Sequence, residues 1–281
     1  MNLRRILRPS AWIATAGAAV AVAGVLASTA SAAPTHHFGW GKDKPTVVLV
    51  HGGFADATNS WNGVVKRLQD EGYPVMAPAN PLRGLATDSA YLASVLDSIE
   101  GPIVLVGHSY GGAVITNAAA NDPDVKALVY IAAFVPDKGE TLGELIGKYP
   151  GSEIQAALNH VPFPNPDGST GTDLYIQADK FRAVFAADLP ESTTTVMSAT
   201  QRPFSAQSFA DPTQAAAWHT IPSWGLVATA DKAIPAELER FEYERAGARK
   251  VVEVSGASHS VMASQPGVVT KLIVEAANAT D

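Results

Sequence analysis

The sequence predicts an α/β fold: a mostly parallel sheet with helices on both faces. Three observations lead there. Short β-branched apolar runs recur along residues 45–135 and 221–281, as in Thr46-Val-Val-Leu-Val50. Segments of helical periodicity separate them, and glycine or proline punctuates the joints. Strands alternating with helices in this way build a parallel sheet, because each crossover helix returns the chain to the same edge.

Taken in order, Thr46–His51 reads as a buried strand that runs into Gly52-Gly53. A helix is predicted over Ser60–Glu71 and closed by Gly72, whose missing side chain suits a helix end. A strand at Tyr73–Ala77, a helix at Asp88–Ile99, a strand at Pro102–Val106, a helix over 110–121 and a strand within Val125–Val135 follow. The rhythm then breaks. Residues 136–220 are helical in pieces, with a turn or short hairpin at Pro162–Gly171, and read as a helical lid inserted after the sixth strand of the sheet. Core signals resume with a strand at Pro222–Ala230, a helix at Pro235–Ala246, a strand at Lys250–Val254 and a helix over Gln265–Ala277.

Ahead of this core, Arg4, Arg5 and Arg8 precede an apolar stretch, Ala11–Ala27, and the small residues Ala30-Ser31-Ala32. That order predicts a signal peptide over residues 1–32, a linker over 33–44 and a secreted mature protein. A membrane anchor is the competing reading, but the stretch is alanine-rich and at the short limit for a span. Adjacent Arg4 and Arg5 also leave twin-arginine export open beside the general route. The chain carries a net charge of −7, and losing the leader's three arginines takes it to −10. Such an acidic protein repels phosphate backbones and anionic membranes, which argues against a nucleic-acid partner or stable membrane association. Cysteine is absent. Disulfides, thiolate metal sites and a cysteine nucleophile are thereby excluded.

Gly107-His108-Ser109-Tyr110-Gly111 is a G-x-S-x-G pattern set between a buried strand and a helix. A serine on such a tight turn stands clear of the sheet edge, and small neighbours let the backbone adopt the strain. Its hydroxyl needs a base. His259, just after the last strand, occupies the place that the order Ser, Asp, His requires. Among the other histidines, His36 and His37 fall in the linker, His160 and His219 in the lid, and His51 ends the first strand. His108 sits within the turn itself. The orienting carboxylate is assigned to Asp231, which ends the strand before His259, with Asp137 as runner-up. An oxyanion hole is expected from the backbone N–H of Tyr110 and from the loop after the first strand, with Gly53 the first choice and Phe54 the second.

Val48-Leu-Val-His51-Gly-Gly with Trp61, then Val104-Leu-Val-Gly107-His-Ser109-Tyr-Gly-Gly112, then Asp231 and His259, together resemble the α/β-hydrolase superfamily over nearly all of residues 45–278. Within it, the chain is similar to the branch that holds bacterial esterases, plant methyl esterases and hydroxynitrile lyases. The resemblance implies a cofactor-free enzyme that cleaves esters; the serine with its base implies an acyl-enzyme, and the apolar residues of the lid suggest small or medium acyl esters or lactones. Two alternatives stay open: a C–C lyase or cofactor-free perhydrolase on the same triad, and a small-molecule binding protein on a hydrolase fold. Lyases of the branch typically carry a threonine after the first-strand histidine and a lysine near the acid. Here Gly52 stands at the first position, while Lys232 adjoins Asp231. Phe163, Tyr175, Phe181, Phe185, Trp218 and Trp224 are the apolar candidates for lining a pocket.

Overall fold

The computed structural model describes residues 44–280. The leader read over 1–32, and the 33–44 linker except its last residue, lie outside the described residues.

The chain runs β1 (Thr46–Val50), α1 (Ala57–Asp70), β2 (Val75–Met76), α2 (Leu85–Leu96), β3 (Ile103–Ser109), α3 (Tyr110–Ala118) and β4 (Val125–Ala133). The insertion holds α4 (Leu142–Ile146), β5 (Leu158–Pro164), β6 (Thr170–Ile176), α5 (Ala178–Phe185), α6 (Glu191–Ala199), β7 (Phe204–Ser205) and α7 (Gln207–Ala210). The core closes with β8 (Ser223–Ala228), α8 (Ala236–Arg245), β9 (Lys250–Val254), α9 (Val261–Ser264) and α10 (Pro266–Asn278).

Six strands form one sheet in the order β2-β1-β3-β4-β8-β9, and every pairing in it is parallel. Both faces are covered, which is why its strands read as unbroken apolar runs rather than alternating ones. Along β1, Val48 and Val50 face the layer of α2, α3 and α8, whereas Val47 and Leu49 face α1, α9 and α10. Trp61, Val64 and Leu68 are the buried stripe of α1, spaced at three and four residues as one helix face requires. Asp56 caps that helix by accepting from the Asn59 N–H at 2.8 Å.

Two expectations about the lid are corrected. The insertion follows the fourth strand of the sheet, not the sixth, because residues 45–135 supply only β1 to β4. Nor is it simply helical. The proline- and glycine-rich stretch turns a long hairpin, β5 against β6, and β7 extends it to a three-stranded antiparallel sheet. Asn165 and Ser169 close that hairpin, and Gly168 takes the left-handed conformation (φ 85°) inside it.

The strand order reverses between β1 and β3: the chain first goes out to β2 on one side, then crosses to the other. Open α/β sheets bind ligands at the carboxyl ends of the strands flanking such a switch point. Here those ends are His51-Gly52-Gly53 and Ser109.

Candidate active site

Ser109 is the last residue of β3, and α3 begins at the next. Its backbone sits at φ 54°, ψ −125°, a left-handed conformation that costs on the order of 1–3 kcal/mol for a residue with a side chain. The surrounding glycines explain how the turn is tolerated. A Cβ at Gly107 would lie 2.6 Å from the Gly111 carbonyl oxygen, and one at Gly111 would lie 2.5 Å from that of Val50. Strand, turn and helix pack backbone to backbone, so both outer positions of the motif need glycine. Gly52 closes the gap from the other side, where an added Cβ would stand 2.7 Å from the Ser109 Cβ.

His259 and Asp231 meet across the ends of β8 and β9. The Nδ1–H of His259 donates to Asp231 Oδ2 at 2.5 Å; a carboxylate only accepts, so the proton lies on Nδ1. Nε2 is then the nitrogen free of Asp231, on a residue that lines the same cavity as Ser109. Both residues are buried. The other oxygen of Asp231 accepts from the N–H groups of Ala233 at 2.7 Å and Ile234 at 2.9 Å. Two elements hold the histidine loop in place. The His108 Nε2–H donates to the His259 carbonyl at 2.9 Å, and the Ser260 N–H and hydroxyl both donate to the Phe185 carbonyl of α5, at 3.0 and 2.9 Å. The Ser258 hydroxyl adds a hydrogen bond to Asp188 in the lid.

Ser109, His259, Gly53, Phe54 and Tyr110 line one cavity. Tyr110 opens α3, where the first amides of a helix have no intrahelical acceptor, so its N–H is available to an anion. Its phenol, which donates to the buried Asp88 at 2.7 Å, anchors that end of the helix. Phe54 holds φ 62°, and its ring packs on those of Phe185 and Phe204. The remaining wall is apolar, including Phe134, Leu142, Ile146, Ile154, Phe209 and Ile234. The cavity measures about 20 Å³, room for roughly one water. A larger surface cleft of about 500 Å³, between Ser89, Asp97, Asn117 and Asp122, contains none of the predicted residues.

The runner-up acid goes elsewhere. Asp137 lies at the surface, bonded to His219 Nε2 at 3.0 Å. Of the six aromatic candidates, only Phe185 lines the cavity; Phe181 supports it from behind, with ring centroids 5.2 Å apart. Trp218 donates to the Pro136 carbonyl, and Trp224 is buried on the opposite face of the sheet with α10. Sequence reasoning missed Phe204, Phe209 and the part His108 plays. Nothing local marks the two phenylalanines. The signal for His108 was its place beside the serine, where a side chain pointing away from the nucleophile reaches whatever packs behind it.

Burial keeps the neighbouring histidines neutral. His51 is pushed down to about 4, and its Nε2 accepts from the Asn80 N–H while Nδ1 donates to the Gly52 carbonyl. His108 is pushed well below the usual histidine value, by burial first and by His259 second. Among the described residues, no group of three or more histidine and acidic side chains is arranged to hold a metal ion, and no helix is long and apolar enough to cross a membrane.

Residues 47–272 match the alpha/beta hydrolase family across most of the chain. The chain belongs to that family. Salicylic acid-binding protein 2 of Nicotiana tabacum is 26% identical to this α/β hydrolase over 264 residues, spanning 84% of the chain and 98% of that protein. A carbendazim hydrolyzing esterase of Nocardioides is 34% identical over 128 residues, 39% of the chain and 50% of its own length. Among solved structures, polyneuridine aldehyde esterase superposes with a TM-score of 0.72 at 24% identity, covering 83% of this chain and 98% of its own.

Proposed function

We propose that this α/β hydrolase is a secreted serine esterase in which Ser109, His259 and Asp231 form the catalytic triad. The chain is a carboxylic ester hydrolase acting on small-molecule substrates. One observation carries the triad assignment. A serine in the strained left-handed conformation lines the same cavity as a histidine whose far nitrogen bonds a buried carboxylate at 2.5 Å.

The geometry supports a two-step reaction. Ser109 Oγ attacks the ester carbonyl as His259 Nε2 takes its proton, and Asp231 stabilises the imidazolium without being protonated. Charge developing on the carbonyl oxygen meets the N–H of Tyr110 and, from the glycine turn after β1, that of Gly53, with Phe54 the next amide along. His259 then protonates the departing alcohol. Water, deprotonated by the same nitrogen, releases the acid from Ser109. The aromatic and aliphatic walls favour a small or medium acyl group. The lyase alternative finds no support in the site: among the described residues no lysine or threonine lines the cavity, and Lys232 is paired with Glu153 at 2.9 Å.

Export rests on the N-terminal pattern alone. Recovery from culture medium of a mature protein beginning at Ala33 supports it, and retention of the intact N-terminus in cells refutes it. For the activity, the test is hydrolysis of p-nitrophenyl esters of increasing chain length by wild type and Ser109→Ala. Turnover abolished by the substitution supports the triad. Turnover that persists refutes it, and binding of such esters without turnover by wild type would favour a receptor.

A further inference from the structure

Two carboxyl groups meet behind the triad without a donor between them. Glu239, on α8, is fully buried. Its Oε2 accepts from the N–H of Ala228, the last residue of β8, at 3.1 Å. Its Oε1 is buried as well and meets no N–H or O–H, yet the side chain lies within hydrogen-bonding reach of the Asp231 carboxyl. Two acceptors in a dry interior repel each other if both are ionised, and bond if one carries a proton.

The donor inventory decides which one does. Asp231 receives three N–H groups: Ala233 and Ile234 on Oδ1, and His259 on Oδ2. Glu239 receives one. Each donor favours the ionised form of the group it serves, so the anion belongs to Asp231 and the proton to Glu239. We propose that Glu239 is a positioning residue of this triad, an un-ionised carboxylic acid whose Oε1–H donates a hydrogen bond to the Asp231 carboxylate.

The other groups facing Glu239 agree with this state. Burial, and next the negative charge of Asp231, hold its proton well above the usual glutamate range. Tyr243, on the same helix, is a buried phenol held neutral. No cation is among the main influences on Glu239 that would stabilise a carboxylate there. The effect on the triad is geometric. With the fourth donor in place, the Asp231 carboxylate is held from two loop amides, the imidazole and α8, and its plane cannot rotate away from His259. The part played in catalysis rests on the esterase reading above; the protonation of Glu239 does not.

The experiment combines infrared spectroscopy with kinetics. The difference spectrum of the ligand-free wild type minus Glu239→Gln at pH 7 should contain the C=O stretch of a protonated carboxylic acid; its absence overturns the proposal. This readout needs no turnover, so an inactive protein that shows the band would sink the esterase reading and leave the protonation standing. Gln at 239 retains both an acceptor for the Ala228 N–H and a donor for Asp231. Its kcat should stay within about twofold of wild type, with the acid limb of the kcat/KM profile unmoved. Loss of an ionised group at that site would instead displace the limb by about one pH unit or more, which also overturns the proposal. Glu239→Met keeps the bulk and drops the donor; kcat should fall roughly tenfold with KM little changed, the loss of one hydrogen bond to a charged group. A Met variant that folds and retains full kcat refutes the positioning role.

Discussion

The two parts of this hydrolase that enclose the cavity are built on different principles. The sheet and its loops supply every group that would handle a proton or a charge: Ser109, His259, Asp231 and the amides after β1 and β3. Each sits at the carboxyl end of a parallel strand, held by close backbone packing or by hydrogen bonds to neighbouring strand ends. The lid supplies shape. Its contributions, Phe185, Phe204 and Phe209 with Ile146 and Ile154, are apolar and come from short helices and a small antiparallel sheet. The lid bears on the chemistry through a few polar links, among them Ser258 to Asp188 and Ser260 to Phe185. If the proposed triad operates, reactivity is set by the sheet and its loops and selectivity by the lid.

That division can be broken by substitution. In the core, Ser109→Ala should lower kcat on a short p-nitrophenyl ester by about 10⁶-fold with the fold intact, measured by rate and circular dichroism. Asp231→Asn should cost about 10⁴-fold, since an amide leaves the imidazole in the wrong tautomer. Asp137→Asn, at the surface beside His219, should leave kcat unchanged, and a reversed ranking would move the acid role to Asp137. In the lid, Phe204→Leu should enlarge the cavity and leave the short-ester rate nearly intact. The long-to-short preference in kcat/KM should rise by roughly tenfold, the scale of one methylene in a hydrophobic pocket. A large fall in kcat on the short ester would show that the lid shares in the chemistry.

The smallest effect concerns stability and sharpens the comparison from the core side. Glu242 is buried, accepts from the Val135 N–H at 3.1 Å, and is pushed up from 4.5 to about 8, chiefly by burial. A raised value means that the folded protein holds this proton more tightly than the unfolded chain does. The stability so gained is whole below pH 4.5 and is lost as pH rises to about 8, at no more than about 1.4 kcal/mol per pH unit. Glu242→Gln preserves the acceptor and cannot ionise. Its Tm should therefore exceed that of wild type by a margin that grows from pH 5 to about 8 and then levels off. A constant gap would mean that Glu242 is already ionised in the fold.

Much of the core was legible because its rules are local. The strand Lys250–Val254 has the predicted bounds, and the helices predicted at Asp88–Ile99 and Gln265–Ala277 lie within three residues of their observed ends. The serine turn was legible because its glycines answer backbone contacts within the motif and its neighbouring strand. The lid resisted for the opposite reason. Whether Phe204 or Trp224 faces the cavity depends on how distant elements pack, and aromatic residues fill a core as readily as they line a pocket. Glu239 and Glu242 were equally hidden: on a helix reading Ala-Glu-Leu-Glu-Arg-Phe-Glu-Tyr-Glu-Arg they look like a solvated charged face, yet both are buried beneath β4 and β8.

The sequence alone determined the order of strands and helices in the core, the serine turn and the Ser, Asp, His succession, because hydrophobic period and glycine placement act over a few residues. Only the tertiary structure decided which carboxylate holds the histidine, which rings close the cavity and which buried acid stands behind the triad. Those outcomes depend on distances of a few ångströms between strand ends far apart in the chain, and no short-range rule encodes them.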